Sequence, residues 1–344
     1  MNGRMMDFSL LFFANREATD PPKEYDLLIE SARFADEHGF TALWLPERHF
    51  HPFGGAYPNP ALAAAALAAR TERVRLRAGS VVLPLHDPLS VVEDWSFVDN
   101  LSRGRVDLSL ATGWNANDFV LRPERYETRR AFTLDHMDTL RDLWAGRATT
   151  RVNGEGKEVV VTAYPRAVQQ ELNLWLTCSS NPANFGEAGT RGANVLTALL
   201  FQTVDDLVPG IESYRKAREA AGFDPDGGTI TVMLHTFVGE TEEEVRSTIR
   251  EPFRKYLESS VSLWRSKWPE LARADGAHLL DHAFERYYRS SALFGSVDRC
   301  VDFARELREI GVDEIACLVD FGVSDLQTLA GLEHLDRVRR EVSA

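Results

Sequence analysis

The chain has 344 residues, 44% hydrophobic and 26% charged, which excludes a disordered protein and leaves ample material for a core. A formal charge of −13, from 39 Lys and Arg against 52 Asp and Glu, excludes long-range attraction to nucleic acid or an anionic membrane, and no basic tract offsets it. Three widely spaced cysteines, Cys178, Cys300 and Cys317, match no zinc or disulfide pattern, and no apolar segment approaches a membrane span, so a cytoplasmic protein with a small or carrier-borne substrate is expected.

In chain order, apolar runs predict strands at about 7–13, 41–45, 74–83, 105–111, 173–178, 194–199, 229–238 and 312–319, with amphipathic helices between most of them. Helix-to-strand joints are punctuated by glycine at His38-Gly39, Arg103-Gly104, Arg191-Gly192 and Ile310-Gly311, where a left-handed cap is relieved. Asn59-Pro60 and Asp87-Pro88 each place a capping side chain before a proline suited to the first helical position. A helix is expected over 123–145, a small β-hairpin at about 150–170, and a helical insertion at about 250–295 carrying Tyr256, Trp264, Trp268, Phe284, Tyr287 and Tyr288. That insertion reads equally as packing on the body or as a lid. Continuous rather than alternating apolar runs suit parallel strands covered by helices. Residues 1–344 are therefore expected to form one (β/α)₈ TIM barrel with insertions, an open doubly wound sheet being disfavoured by the lack of a Gly-x-Gly-x-x-Gly turn after the first strand.

In such a barrel chemistry gathers at the carboxyl ends of the strands. Those ends carry Glu47-Arg48-His49-Phe50-His51, Leu85-His86-Asp87, Thr112-Gly113-Trp114-Asn115 and Cys178-Ser179-Ser180-Asn181-Pro182. His49 and His51, with Asp320 at the end of strand eight, raise a metal hydrolase, but strands five and six end in Ser179-Ser180 and Leu200-Phe201, which supply no further ligand, so no metal is expected. Ser180-Asn181-Pro182 opens a helix whose free N–H groups suit a phosphate. Arg130, a residue type that alone is more often a solvated helix charge, stands where it could approach the same place. The strand around Gly79-Ser80 puts two small residues side by side, which invites a flat group or a second backbone to come close.

Taken together, Glu47-Arg48-His49-Phe50, Ser80-Val81-Val82-Leu83-Pro84 and Thr112-Gly113-Trp114-Asn115 resemble the bacterial-luciferase-like flavin monooxygenases over about residues 6–340. ATGWNANDF, Arg129-Arg130 and Ala193-Asn194-Val195-Leu196-Thr197 look most like the mupirocin-type branch found in natural-product biosynthesis. The resemblance implies a dimer that binds reduced FMN as co-substrate at the barrel mouth and oxygenates a substrate with O₂. By the same carry-over, Gly79–Ser80 is a non-proline cis peptide under the flavin ring. Thr112 and Asn115 contact ring and ribityl, while Arg130, Ser180 and Asn181 hold the phosphate. His49 and Arg48 would act on the activated oxygen, with Trp114 walling the pocket or simply packing. Arg48 replaces the first histidine of the luciferase pair, which argues against light emission. A flavin reductase is the expected partner, because no nucleotide fingerprint for NAD(P)H is found, and an acyl or peptidyl carrier protein is a second candidate. An F420-dependent hydride-transfer enzyme and a non-catalytic flavin-binding protein share the same fold and stay open.

Overall fold

The computed structural model describes residues 5–13, 25–200, 202–264 and 276–343. From the amino end run β1 (Asp7–Leu11), α1 (Asp26–His38), β2 (Ala42–Leu45), α2 (Pro60–Ala68), β3 (Arg75–Val82), α3 (Pro88–Ser102) and β4 (Val106–Ala111). After two 3₁₀ turns come α4 (Arg129–Asp135) and α5 (Met137–Trp144), then a hairpin of β5 (Thr149–Val152) and β6 (Glu158–Val161). The second half holds β7 (Leu174–Thr177), α6 (Pro182–Thr190), β8 (Asn194–Ala198), α7 (Val204–Ala220), β9 (Ile230–Gly239), α8 (Glu242–Trp264), α9 (Gly276–Ser290), β10 (Leu293–Ser296), α10 (Val297–Glu309), β11 (Glu314–Leu318) and α11 (Asp325–Ser343).

Eight parallel strands close on themselves in the order β9, β11, β1, β2, β3, β4, β7, β8, with β8 returning to β9 through Val195 opposite Ile230. The eight are the eight anticipated, and the closed (β/α)₈ barrel stands. The capping signals act as expected: Asn59 Oδ1 accepts from Ala61 N at 2.9 Å, and Asp87 Oδ1 accepts from Leu89 N at 2.9 Å. Gly39, Gly104, Gly192 and Gly311 all have positive φ, but at the end of α3 Arg103 enters the left-handed region as well, at φ 61°.

Two expectations need correction. The helix over 123–145 is broken, because its beginning is spent in 3₁₀ turns and because His136 interrupts it at φ −96°, ψ 1°, its Nδ1 paired with the Phe132 carbonyl at 2.8 Å. Residues 293–296, included in the helical insertion, form β10 alongside the outer half of β9, with Leu293 opposite Thr236. A flat group does come close at Gly79, the Trp44 indole: a Cβ added there would lie 3.0 Å from Trp44 Cβ and 3.2 Å from its Cε3. Of the aromatic residues in the helical insertion, Tyr256, Phe284, Tyr287 and Tyr288 are buried. Trp268 and the side chain of Trp264 lie outside the described residues, as does Phe201.

The barrel lumen is layered. Near the strands' amino ends, Arg77 donates to Asp107 Oδ2 at 2.8 Å and to Glu314 Oε2 at 2.7 Å, while its guanidinium lies 4.5 Å from the centroid of Trp175 and 4.9 Å from that of Trp44. Trp44 Nε1 donates to Ser9 Oγ and Trp175 Nε1 to Thr231 Oγ1. These bonds join β1, β2, β3, β4, β7, β9 and β11 and plug the lower lumen. Toward the mouth, the lumen passes into an aromatic cluster that includes Phe53, Tyr256, Phe284, Tyr287 and Phe321, which α8 and α9 help to build. The outer barrel surface packs on the helices through a separate aliphatic core.

Candidate active site

Glu47 follows β2 and is fully buried, with donors from three directions. His49 Nε2 lies 2.8 Å and His86 Nε2 2.6 Å from Oε1, and Val82 N donates to Oε2 at 2.7 Å. Burial pushes the carboxyl up, but the bonds from His49 and His86, the His86 charge and the Val82 N–H outweigh it and hold Glu47 below the usual carboxylate value. Arg125 fixes the loop that carries His86 by donating to the carbonyls of His86 at 2.6 Å and Pro84 at 3.2 Å.

Next along the chain, Arg48 is 3% exposed and its Nη1 meets Asp118 Oδ2 at 3.1 Å. Its guanidinium carbon stands 4.7 Å from the Trp114 ring centroid. Nε and Nη2 of Arg48 are buried with no hydrogen-bond partner among the described residues. Burial lowers the Arg48 pKa, offset in part by Asp118, and burial raises that of Asp118, offset in part by Arg48 and Asn115. Asn115 is committed to this pair: its Nδ2 donates to Asp118 Oδ1 at 2.6 Å. His51 accepts from Phe53 N at 3.0 Å through Nδ1, and burial, followed by the Arg48 charge, lowers its pKa.

The loop after β4 turns at Gly113, where φ is 75° and an added Cβ would meet Phe119 and Val82 at 2.8 Å, so glycine is required there. Thr112 and Trp114, on either side, are half-buried. Beneath the mouth, Ser80 Oγ lies 2.8 Å from Ser109 Oγ and 2.5 Å from Thr177 Oγ1, a triangle of hydroxyls spanning β3, β4 and β7. The Gly79–Ser80 peptide bond is cis.

On the β7 side, Asn181 caps α6, its Oδ1 accepting from Ala183 N at 3.0 Å, and Ser180 is exposed beside it. Arg130 reaches the first turn of α6: its Nη2 donates to Asn184 Oδ1 at 3.2 Å and lies 3.9 Å from Glu187 Oε1. Its side chain is 53% exposed, so it is free to turn toward an anion. The structure therefore brings Arg48, His49 and Trp114 into one group and Arg130, Ser180 and Asn181 into another. The roles of Glu47, His86 and Asp118 were not anticipated. Glu47 and His86 stand in strand-end segments, but their shared bond joins residues 39 positions apart, which no local spacing displays.

The model of the luciferase-like monooxygenase family matches residues 6–314. The chain belongs to this family. Among relatives of this luciferase-like monooxygenase, the oxygenase component of the flavin-dependent trigonelline monooxygenase of Acinetobacter baylyi is 26% identical, covering 96% of this chain and 93% of its own. The 4-hydroxyprotoasukamycin monooxygenase of Streptomyces nodosus subsp. asukaensis is 27% identical, covering 82% and 76%. In fold, the oxygenating constituent of 3,6-diketocamphane monooxygenase of Pseudomonas putida, solved with FMN, superposes with a TM-score of 0.80 at 18% identity over 98% of both chains. An F420-dependent secondary alcohol dehydrogenase superposes at 0.72 with 15% identity, over 97% of this chain and 99% of its own. The family is one of flavin-dependent monooxygenases, and among the described residues no helix is long and apolar enough to cross a membrane.

Proposed function

We propose that this chain is the oxygenase of a two-component system, using reduced FMN and O₂ to oxygenate a natural-product intermediate presented by a carrier protein. The observation that carries the reading is Arg48, a buried cation at the barrel mouth with two nitrogens unpartnered, beside His49 and the Trp114 ring. Unsatisfied buried donors are rare, and a cluster of them at a strand-end mouth fits a polar ligand. The donor set fits FMN: Arg130 with the amino end of α6, beside Ser180 and Asn181, would hold its phosphate, and Thr112, Asn115 and the Gly79–Ser80 segment would contact ring and ribityl. When bound, reduced FMN supplies two electrons and activates O₂. His49 holds and delivers a proton at the reacting oxygen, Arg48 supplies fixed positive charge, and Trp114 excludes water.

Support for a partner reductase comes from the relative named as an oxygenase component, and support for a natural-product substrate from the Streptomyces relative. A homodimer through α2 and α3 is part of the same proposal, since Leu62, Phe97 and Leu101 are 70%, 54% and 44% exposed on these neighbouring helices. So is the working unit, one barrel domain over residues 1–344 in a cytoplasmic enzyme.

The test supplies reduced FMN from a separate flavin reductase, with O₂ and a carrier-tethered acyl substrate, and measures product formed and hydrogen peroxide released per reduced flavin consumed. His49→Ala is expected to keep FMN affinity while product per flavin falls about 100-fold or more, with peroxide in its place. Wild-type coupling in this variant would remove His49 from the reaction. Preferential binding of F420, seen by mass spectrometry, or NADPH oxidation by the purified chain alone would overturn the two-component reading.

A further inference from the structure

Glu47 is built for more than joining two strands. Three N–H groups from three segments converge on one carboxyl group: the rings of His49 and His86 on Oε1 and the backbone of Val82 on Oε2. An ionised carboxylate only accepts, so each ring nitrogen facing it must carry a proton. A neutral His49 ring therefore carries its proton on Nε2 and its lone pair on Nδ1. A glutamine could not accept from all three, because it has one acceptor oxygen and its amide N–H₂ would face either Val82 N–H or the two imidazoles, which could then pair only by switching tautomer.

We infer that Glu47 is the positioning residue of this site, that His86 completes its clamp, and that Nδ1 of His49 is the atom that exchanges the proton during turnover. The inference rests on the role given to His49 above. Overall, the reduced FMN anion, O₂, substrate and one proton yield oxidised FMN, oxygenated substrate and water. His49 takes that proton from solvent at Nδ1, which makes the ring an imidazolium, and releases it from the same atom to the oxygen leaving as water, while Nε2–H stays hydrogen-bonded to Glu47. The exposures agree with the assignment: Glu47 is sealed at 0%, His49 is 12% exposed and close enough to Asp118 to lower its pKa, and His86 is 31% exposed, its charge felt by Asp94 of α3. The buried carboxylate thus holds its rings without itself meeting the reactants.

Histidine ¹⁵N NMR of the flavin-free protein tests the clamp without turnover. Neutral His49 and His86 are expected to be protonated at Nε2 in the wild type, and Glu47→Gln is expected to give His49 mixed tautomers. In the coupled assay the same variant should form about 10- to 100-fold less product per reduced flavin at unchanged FMN affinity. His86→Gln, at the rim, should keep Nε2–H on His49 and show a smaller fall, and it decides the matter with the wild-type spectrum should Glu47→Gln not fold. Protonation of neutral wild-type His49 at Nδ1, or a single Nε2–H tautomer retained in Glu47→Gln, overturns the inference, and undiminished product in His86→Gln overturns the part given to His86. The expected tautomers combined with full coupling in Glu47→Gln would keep the clamp and instead overturn His49's part in the proposed function.

Discussion

Two buried arginines occupy opposite ends of one lumen, and their surroundings differ in kind. Arg77 is 5% exposed and Arg48 3%. Around Arg77, burial works against the charge but Glu314 and Asp107 overcome it and raise its pKa, with Trp44 and Trp175 covering the guanidinium. Around Arg48, burial prevails over the single carboxylate of Asp118 and lowers the pKa, while two nitrogens lack partners. A desolvated cation is tolerated when its hydrogen bonds are complete and is costly when they are not. The lower arginine completes a structural plug, and the upper one keeps two donors unused among the described residues, as the proposed ligand role requires.

The largest effect is expected from Arg77→Met, which leaves Asp107 paired with Arg75 but strands the Glu314 carboxylate in the lumen among neutral donors, and should lower unfolding stability by about 3–5 kcal/mol. Urea midpoints with an unchanged m-value would measure it, and a loss below about 1 kcal/mol would end the contrast between the two sites. For Arg48→Met the order of effects reverses. Asn115 still bonds Asp118, so stability should fall by only about 1–3 kcal/mol, whereas product per reduced flavin should drop about 100-fold. A variant as unstable as Arg77→Met yet fully coupled would make Arg48 a second structural plug.

Arg130 adds a third kind of arginine to the series, exposed and, among the described residues, bonded to Asn184 and more distantly to Glu187. Arg130→Ala should leave stability unchanged and weaken FMN binding by about 1.5–3 kcal/mol, the range for a hydrogen bond to a charged group. Unchanged affinity on fluorescence titration would place the phosphate elsewhere.

The barrel was legible because its strands are buried on both faces and therefore read as continuous apolar runs, four of them preceded by a glycine joint. β10 escaped because four residues that pair only with the outer half of β9 carry no period of their own. Arg48, His49 and Trp114 were legible through their order along the chain. Their partners were not: Asp118 meets Arg48 only because the loop after β4 turns back at Gly113, and His86 meets Glu47 only because β2 and β3 are neighbours. At Gly79 the sequence showed that a close neighbour was needed but not which one, since the indole it accommodates comes from the adjacent strand.

His235 shows the same limit in the lumen, where it lies within an otherwise apolar strand and the sequence does not single it out. In the fold it is 1% exposed, enclosed by Phe253, Tyr256, Tyr287 and Phe321 at ring distances of 4.8–6.1 Å, with Nε2 unpartnered. Burial lowers its pKa to about 3. The unfolded chain, with an ordinary value near 6.5, then binds a proton that the folded chain refuses, so the His235 contribution to stability is constant above about pH 6.5 and declines as pH falls from there toward 3. The slope approaches about 1.4 kcal/mol per pH unit, and below about pH 3 it vanishes because both states are charged. His235→Phe keeps an aromatic ring and removes the proton, so its stability relative to wild type should improve steadily between pH 6.5 and 5, whatever its offset at pH 7.5. Urea midpoints for both proteins at pH 7.5, 6 and 5 would show this. Parallel losses would mean that solvent or a hydrogen-bond partner reaches His235, and the upper lumen would then hold a second open polar site rather than the closed aromatic wall that sets it apart from the mouth around Arg48.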